Sequence, residues 1–121
     1  DTIATAIRIG NPASWDLALS AMECSVGKFG AVSDAEILWM HRFLSQEAGV
    51  FVEPSSATGA AGIYKASQQG ESFAGALIVV TVTGHGLKDP MWALKDEAGN
   101  EISPEAVSTN AAEVAERLGL A

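Results

Sequence analysis

Ala76-Leu77-Ile78-Val79-Val80-Thr81-Val82 runs directly into Thr83-Gly84-His85-Gly86-Leu87-Lys88-Asp89. The first stretch is apolar and β-branched and predicts a buried strand. The second is polar and carries two glycines, which suits a loop. Open α/β sheets build ligand sites in this way, because the crevice lies beyond the carboxyl ends of the strands. The expected fold class is therefore α/β: part of a mostly parallel sheet with flanking helices.

The rest of the chain alternates in the same sense. Residues 2–9 are apolar and β-branched at several positions and predict a strand that stops at Gly10-Asn11-Pro12. Asn11 suits an N-cap and Pro12 a first helical position, so a helix is expected over 12–23. Residues 28–32 give a short strand. Ser33-Asp34-Ala35-Glu36 is a capping box, and a helix over 34–48 follows, with Ile37, Met40, His41 and Leu44 on one stripe. Gly49 supplies a left-handed stop. Residues 50–52 form a further short strand, which Pro54 ends. Ser55 or Ser56 then caps a helix rich in Ala and Gly that closes at Gly70. Gly59 and Gly62 in its interior each cost about 1 kcal/mol relative to Ala, so close packing against a sheet or ligand is expected there. Beyond residue 90, a turn is expected at Gly99-Asn100, and Ser103-Pro104 and Thr109-Asn110 are helix-start signals. Strands alternating with helices of this length imply βαβ units. No repeat or linker divides residues 1–121, which read as one portion of a domain.

Bulk composition narrows the function classes. The chain has 121 residues, 48% of them apolar, so it can bury a core and is not a disordered tail. Its 15 acids against 7 bases give a net charge of −8. That argues against nucleic acid or an anionic membrane as partner. Apolar runs are strand-length or interrupted by charge, so no membrane span is predicted. Cys24 is the single cysteine. It cannot pair within the chain, and a reducing, cytoplasmic setting is expected. His41 and His85 have no Cys or paired carboxylate at ligand spacing, so no metal site is predicted. A start at Asp1-Thr2-Ile3-Ala4, without Met, reads as processed, cleaved or cut from a longer chain.

Three stretches carry a resemblance. Residues 1–15 (with Ala4-Thr5-Ala6-Ile7 at their centre), Val52-Glu53-Pro54-Ser55-Ser56-Ala57, and the 83–89 loop together resemble the C-terminal portion of threonine synthase, within the pyridoxal-phosphate (PLP) enzymes of the tryptophan-synthase-β fold type. Threonine dehydratases of that fold type carry a Ser-Gly-Gly-Asn type segment where this chain has Thr-Gly-His-Gly, which favours the synthase.

The resemblance implies a PLP-dependent lyase of threonine biosynthesis, converting O-phosphohomoserine and water to threonine and phosphate. It implies cofactor contacts at Thr83, Ala6 and Gly84: the Thr83 hydroxyl on the pyridine nitrogen, and Ala6, with Ala4 as the alternative, against one ring face. PLP enzymes also need a Schiff-base lysine. Lys28, Lys65, Lys88 and Lys95 lie in no matching segment, so no catalytic residue is assigned in this chain, and that lysine is expected upstream together with the phosphate-binding loop. The isolated chain is then expected to be inactive and to associate, through open sheet edges, with itself or with the missing N-terminal part, and the parent is expected to be a homo-oligomer. A non-catalytic interaction module and a dehydratase-like paralogue are the alternatives. Arg8 reads either as a phosphate anchor or as an ion-pair partner, Glu53 as a structural support or helix cap, and His85 as a substrate contact or a donor to loop carbonyls. Lys88 is the strongest alternative base but belongs to the loop.

Overall fold

The computed structural model describes residues 1–96, 100–103 and 106–120. Four α-helices form among the described residues: α1 (Trp15–Cys24), α2 (Asp34–Gln46), α3 (Pro54–Gln68) and α4 (Ala111–Arg117). Short 3-10 turns lie at Thr5–Ile7, Gly86–Lys88 and Pro90–Trp92. Two compact units result, Asp1–Pro90 and Met91–Ala121.

In the first unit, α2 packs along α3. The sequence sets both ends of α2. Ser33 accepts the Glu36 N–H through Oγ (3.3 Å), and Glu36 Oε2 accepts the Ser33 N–H (2.6 Å), so the expected capping box is complete. Glu36 also receives Lys65 Nζ from α3 at 3.1 Å. The Ser33 backbone first, and Lys65 after it, hold the Glu36 carboxyl below its ordinary range. Gly49, at φ +66°, ends the turn that follows the helix. Helix α3 begins with Pro54 at its first turn, where the missing N–H costs nothing. Pro54 therefore opens a helix as well as closing the extended segment before it.

Met40, Val52, Ala57 and Ala61 form the core, with Val32, Leu44 and Ala60 packed against it. Ile37 is 2% exposed, and burying such a side chain stabilises by roughly 2 kcal/mol. Outside this core, Trp39 stacks on Tyr64 at 4.5 Å and on Phe43 at 5.3 Å, which ties the two helices together on their half-exposed side. His41 is 3% exposed, and among the described residues neither ring nitrogen has a partner in hydrogen-bonding geometry. Burial is the main cause that lowers its pKa; the Val52 backbone offsets this only in part.

The predicted strands do not form among the described residues. Residues 2–9 hold a 3-10 turn, and 28–32 and 76–82 make no ladder. The one bridge in this unit, Val52 with His85, is antiparallel rather than parallel. A strand exists only through hydrogen bonds to a neighbour, and local sequence cannot supply one. The 76–82 segment still keeps the two-residue alternation of a strand. Leu77 and Val79 are 93% and 84% exposed, whereas Val80 is half-buried, and its Cγ1 lies 3.3 Å from where a Gly59 Cβ would stand. Gly59 thus has the close-packing role expected of it. Gly62 has open space instead.

Helix α1 starts at Trp15, three residues later than predicted, and Ser14 rather than Asn11 precedes it. In the second unit, Lys95 bridges Glu101 in antiparallel register, and Asn110 caps α4 by accepting the Ala112 N–H at 2.9 Å. The turn at Gly99-Asn100 and the start signal at Ser103-Pro104 fall partly outside the described residues.

Two outcomes follow for stability. Ser33→Ala is expected to cost about 1 kcal/mol in urea unfolding, the usual worth of an N-cap hydroxyl. His41 stays neutral in the folded state at pH values where the unfolded chain, titrating near the ordinary histidine value of 6.5, takes up a proton. Stability is therefore flat above about pH 6.5 and falls below it, by at most about 1.4 kcal/mol per pH unit. Thermal midpoints measured from about pH 7.5 to about pH 5.5 should decline, and His41→Leu should flatten that decline.

Candidate functional site

The 83–89 loop is anchored on the segment that leads into α3. Phe51 and Glu53 clasp it: the Glu53 N–H donates to the Gly84 carbonyl (3.0 Å), and the Gly86 N–H donates to the Phe51 carbonyl (3.1 Å). From the first turn of α3, Ser56 Oγ accepts the Gly84 N–H at 2.7 Å. Both backbone groups of Gly84 are thus occupied. Ser56 Oγ also lies 3.1 Å from Thr83 Oγ1. Ser56 is 5% exposed, whereas Thr83 is exposed.

The two glycines serve packing. A Cβ on Gly84 would overlap the Glu53 carboxylate, and one on Gly86 would overlap the Phe51 ring. Glu53 is 5% exposed, and its Oε1 meets Lys88 Nζ at 3.4 Å. Its side chain makes no cap hydrogen bond to α3, so it braces the loop and does not cap the helix. Lys88 is engaged by this pair. His85 Nδ1 accepts the Leu87 N–H at 3.2 Å, which reverses the expected donor role. The His85 and His41 rings both approach the Phe51 ring edge-on, at 5.6 Å and 6.2 Å.

The opening segment joins the same region. Thr5 Oγ1 donates to Asp89 Oδ2 at 3.2 Å, and the Thr5–Ile7 turn packs on α3. Ala4 is fully buried, whereas Ala6 is exposed. Arg8 pairs with Asp1 at 3.4 Å and bonds the Thr2 carbonyl, the ion-pair reading of that residue. The fold therefore brings together the three stretches 4–8, 53–56 and 83–89. Ser56 is the residue whose part here was missed: its bond to Gly84 spans 28 positions, and nothing local signals it.

Clefts lie elsewhere as well. One of about 500 Å³ runs between α2 and α3, lined by Glu36, Trp39, Tyr64 and Lys65. Another of about 430 Å³ is lined by Lys28, Gly59, Gly62 and Phe73. Neither includes Thr83 or Ala6. Among the described residues, no group of His, Cys, Asp and Glu is arranged to hold a metal, and no helix is long and apolar enough to cross a membrane.

Residues 1–84 match the family model described as pyridoxal-phosphate dependent enzyme. The chain belongs to that family. The match spans the opening segment, the Glu53–Ser56 turn and the Thr83-Gly84 pair. Among curated proteins, the chain is similar to the threonine synthase of Mycobacterium tuberculosis, 51% identical over 121 residues, which are 100% of this chain and 32% of that protein. It is similar to the Synechocystis sp. threonine synthase, 51% identical over 102 residues, 84% of this chain and 26% of that one. The Methanocaldococcus jannaschii threonine synthase is 46% identical over 95 residues, 78% of this chain and 24% of its own. The chain thus spans about a third or less of the length of the relatives it matches. The PLP-dependent family has an α/β fold, of which the helices form here, whereas no sheet forms among the described residues.

The bracing of the loop can be tested directly. Gly84→Ala is expected to expel the Glu53 carboxylate and to cost about 1–3 kcal/mol in urea unfolding. In a Glu53→Ala background the same change should cost distinctly less, because the two sites are in contact.

Proposed function

We propose that this chain is the C-terminal portion, residues 1–121, of a threonine synthase. The intact enzyme would be a cytoplasmic, PLP-dependent lyase that converts O-phosphohomoserine and water to threonine and phosphate. The observation that carries this reading is the set of threonine synthases matched at 46–51% identity across most or all of the chain. The donor set supports it. Thr83 offers an exposed hydroxyl on a braced loop, and Ala6 an exposed methyl on the turn beside α3.

PLP, when bound, supplies an electron sink for negative charge developed on the substrate. This chain's part is to hold it. The Thr83 hydroxyl would donate to the pyridine nitrogen, and a hydroxyl, unlike a carboxylate, leaves that nitrogen unprotonated. Gly84, fixed through both its backbone groups, holds Thr83 in place. Ala6 would lie against one ring face, where a longer side chain would block approach; the burial of Ala4 favours Ala6 for this role.

The lysine that attaches the cofactor would lie outside these residues. All four lysines here have partners: Lys28 with Glu71, Lys65 with Glu36, Lys88 with Glu53, and Lys95 over the Trp92 ring. The alternating 76–82 segment would become a strand of a mostly parallel sheet in the intact enzyme. Its exposed Leu77 and Val79 support association with the remaining part, or with a second copy.

The complete gene product should release phosphate from O-phosphohomoserine in a coupled phosphate assay. Thr83→Val should weaken PLP binding by roughly tenfold or more, the worth of one hydrogen bond of about 1.4 kcal/mol. Ammonia release from threonine, with no phosphate release, would assign a dehydratase instead. Residues 1–121 alone should trap no PLP on a unique lysine under borohydride.

A further inference from the structure

We infer that Ser56 is a positioning residue that fixes which way the Thr83 hydroxyl points its hydrogen; the inference rests on the reading of Thr83 as the partner of the ring nitrogen. A serine hydroxyl has one hydrogen to donate and two lone pairs to accept with. Ser56 Oγ accepts the Gly84 N–H at 2.7 Å, which uses one lone pair. Its own hydrogen needs an acceptor, because the residue is 5% exposed and a buried hydroxyl left unpaired is costly. Thr83 Oγ1 stands 3.1 Å away and provides one.

If Thr83 instead donated to Ser56, the buried Ser56 hydrogen would be displaced toward a position with no such acceptor. The chain of donors therefore runs from the Gly84 N–H to Ser56, and from Ser56 to Thr83. The Thr83 hydrogen is left free on the exposed side of the loop. Thr83 then presents itself as a donor, and a donor matches only an unprotonated pyridine nitrogen. A helix residue 27 positions before Thr83 thus selects the protonation state of the ring that Thr83 meets. The Gly84 bond adds a second constraint: it holds Ser56 in the rotamer from which its hydrogen reaches Thr83.

The test is a double-mutant cycle in the complete gene product, with Ser56→Ala, Thr83→Val and the two combined. The readouts are the dissociation constant of PLP and the resonance of PLP labelled with nitrogen-15 in its ring. Ser56→Ala is expected to weaken PLP binding about tenfold when Thr83 is present, and by less than about twofold in the Thr83→Val background. The ring-nitrogen signal should shift in Ser56→Ala as the hydrogen bond loses its direction. Equal loss of affinity in both backgrounds, with an unmoved nitrogen signal, would make Ser56 a support of the fold only and overturn the inference. Unchanged affinity in Thr83→Val would overturn the reading of Thr83 itself, a separable result. If Ser56→Ala does not fold, Ser56→Cys keeps the size and a weak donor. A smaller loss that again vanishes in the Thr83→Val background then supports the inference, and the same loss in both backgrounds overturns it.

Discussion

Gly84 is held by its backbone on two sides, by the Glu53 N–H at its carbonyl and by Ser56 Oγ at its N–H. Both partners sit at the start of α3, so the loop is registered to that helix to within a hydrogen-bond length. The arrangement depends on glycine. The Glu53 carboxylate occupies the place a side chain would take, and Lys88 then closes over it. A nearly buried carboxylate is costly unless paired. The loop therefore supplies, in Lys88, the charge that makes Glu53 tolerable beneath it. Thr83 is placed by this clasp and by its own contact with Ser56 Oγ.

The clasp is only as firm as α3, and α3 is held by α2. The Ser33–Glu36 box starts α2, and the same Glu36 reaches Lys65 on α3, so one carboxylate serves both the helix start and the helix pairing. Ile37, Met40, Ala57 and Ala61 bury the face between them. Small residues on α3 allow that closeness, and the large rings of Trp39, Phe43 and Tyr64 cover the outer side of the seam. The placement of the loop thus draws on packing two helices away.

Elements whose partners lie within a few residues were legible in the sequence. The capping box, the Gly49 stop, the Asn110 cap and the apolar stripe of α2 all depend on local spacing, and all formed. The strands were not legible in the same way. The apolar, β-branched run at 76–82 carries the correct alternation, but its hydrogen-bond partners are a matter of the wider fold, and no ladder forms among the described residues. The stretches that carry the family resemblance did converge in space. The close packing expected at Gly59 and Gly62 formed only at Gly59, which makes room for Val80, while the loop glycines Gly84 and Gly86 make room for Glu53 and Phe51. Ser56 was read only as a candidate cap, with Ser55, but it lies inside α3, which starts at Pro54, and its two partners lie far along the chain.

The stack of Trp39 between Phe43 and Tyr64 has an optical consequence. Of the three tryptophans, Trp39 lies on the seam of α2 and α3, whereas Trp15 stacks on Phe29 beside the exposed helix α1, and Trp92 lies under Lys95 in the second unit. Tyr64 is close enough to pass its excitation to Trp39. Emission from Trp39 excited through Tyr64 therefore reports on the joining of these two helices. The molecule carries its own fluorophore at the contact on which the 83–89 loop is built.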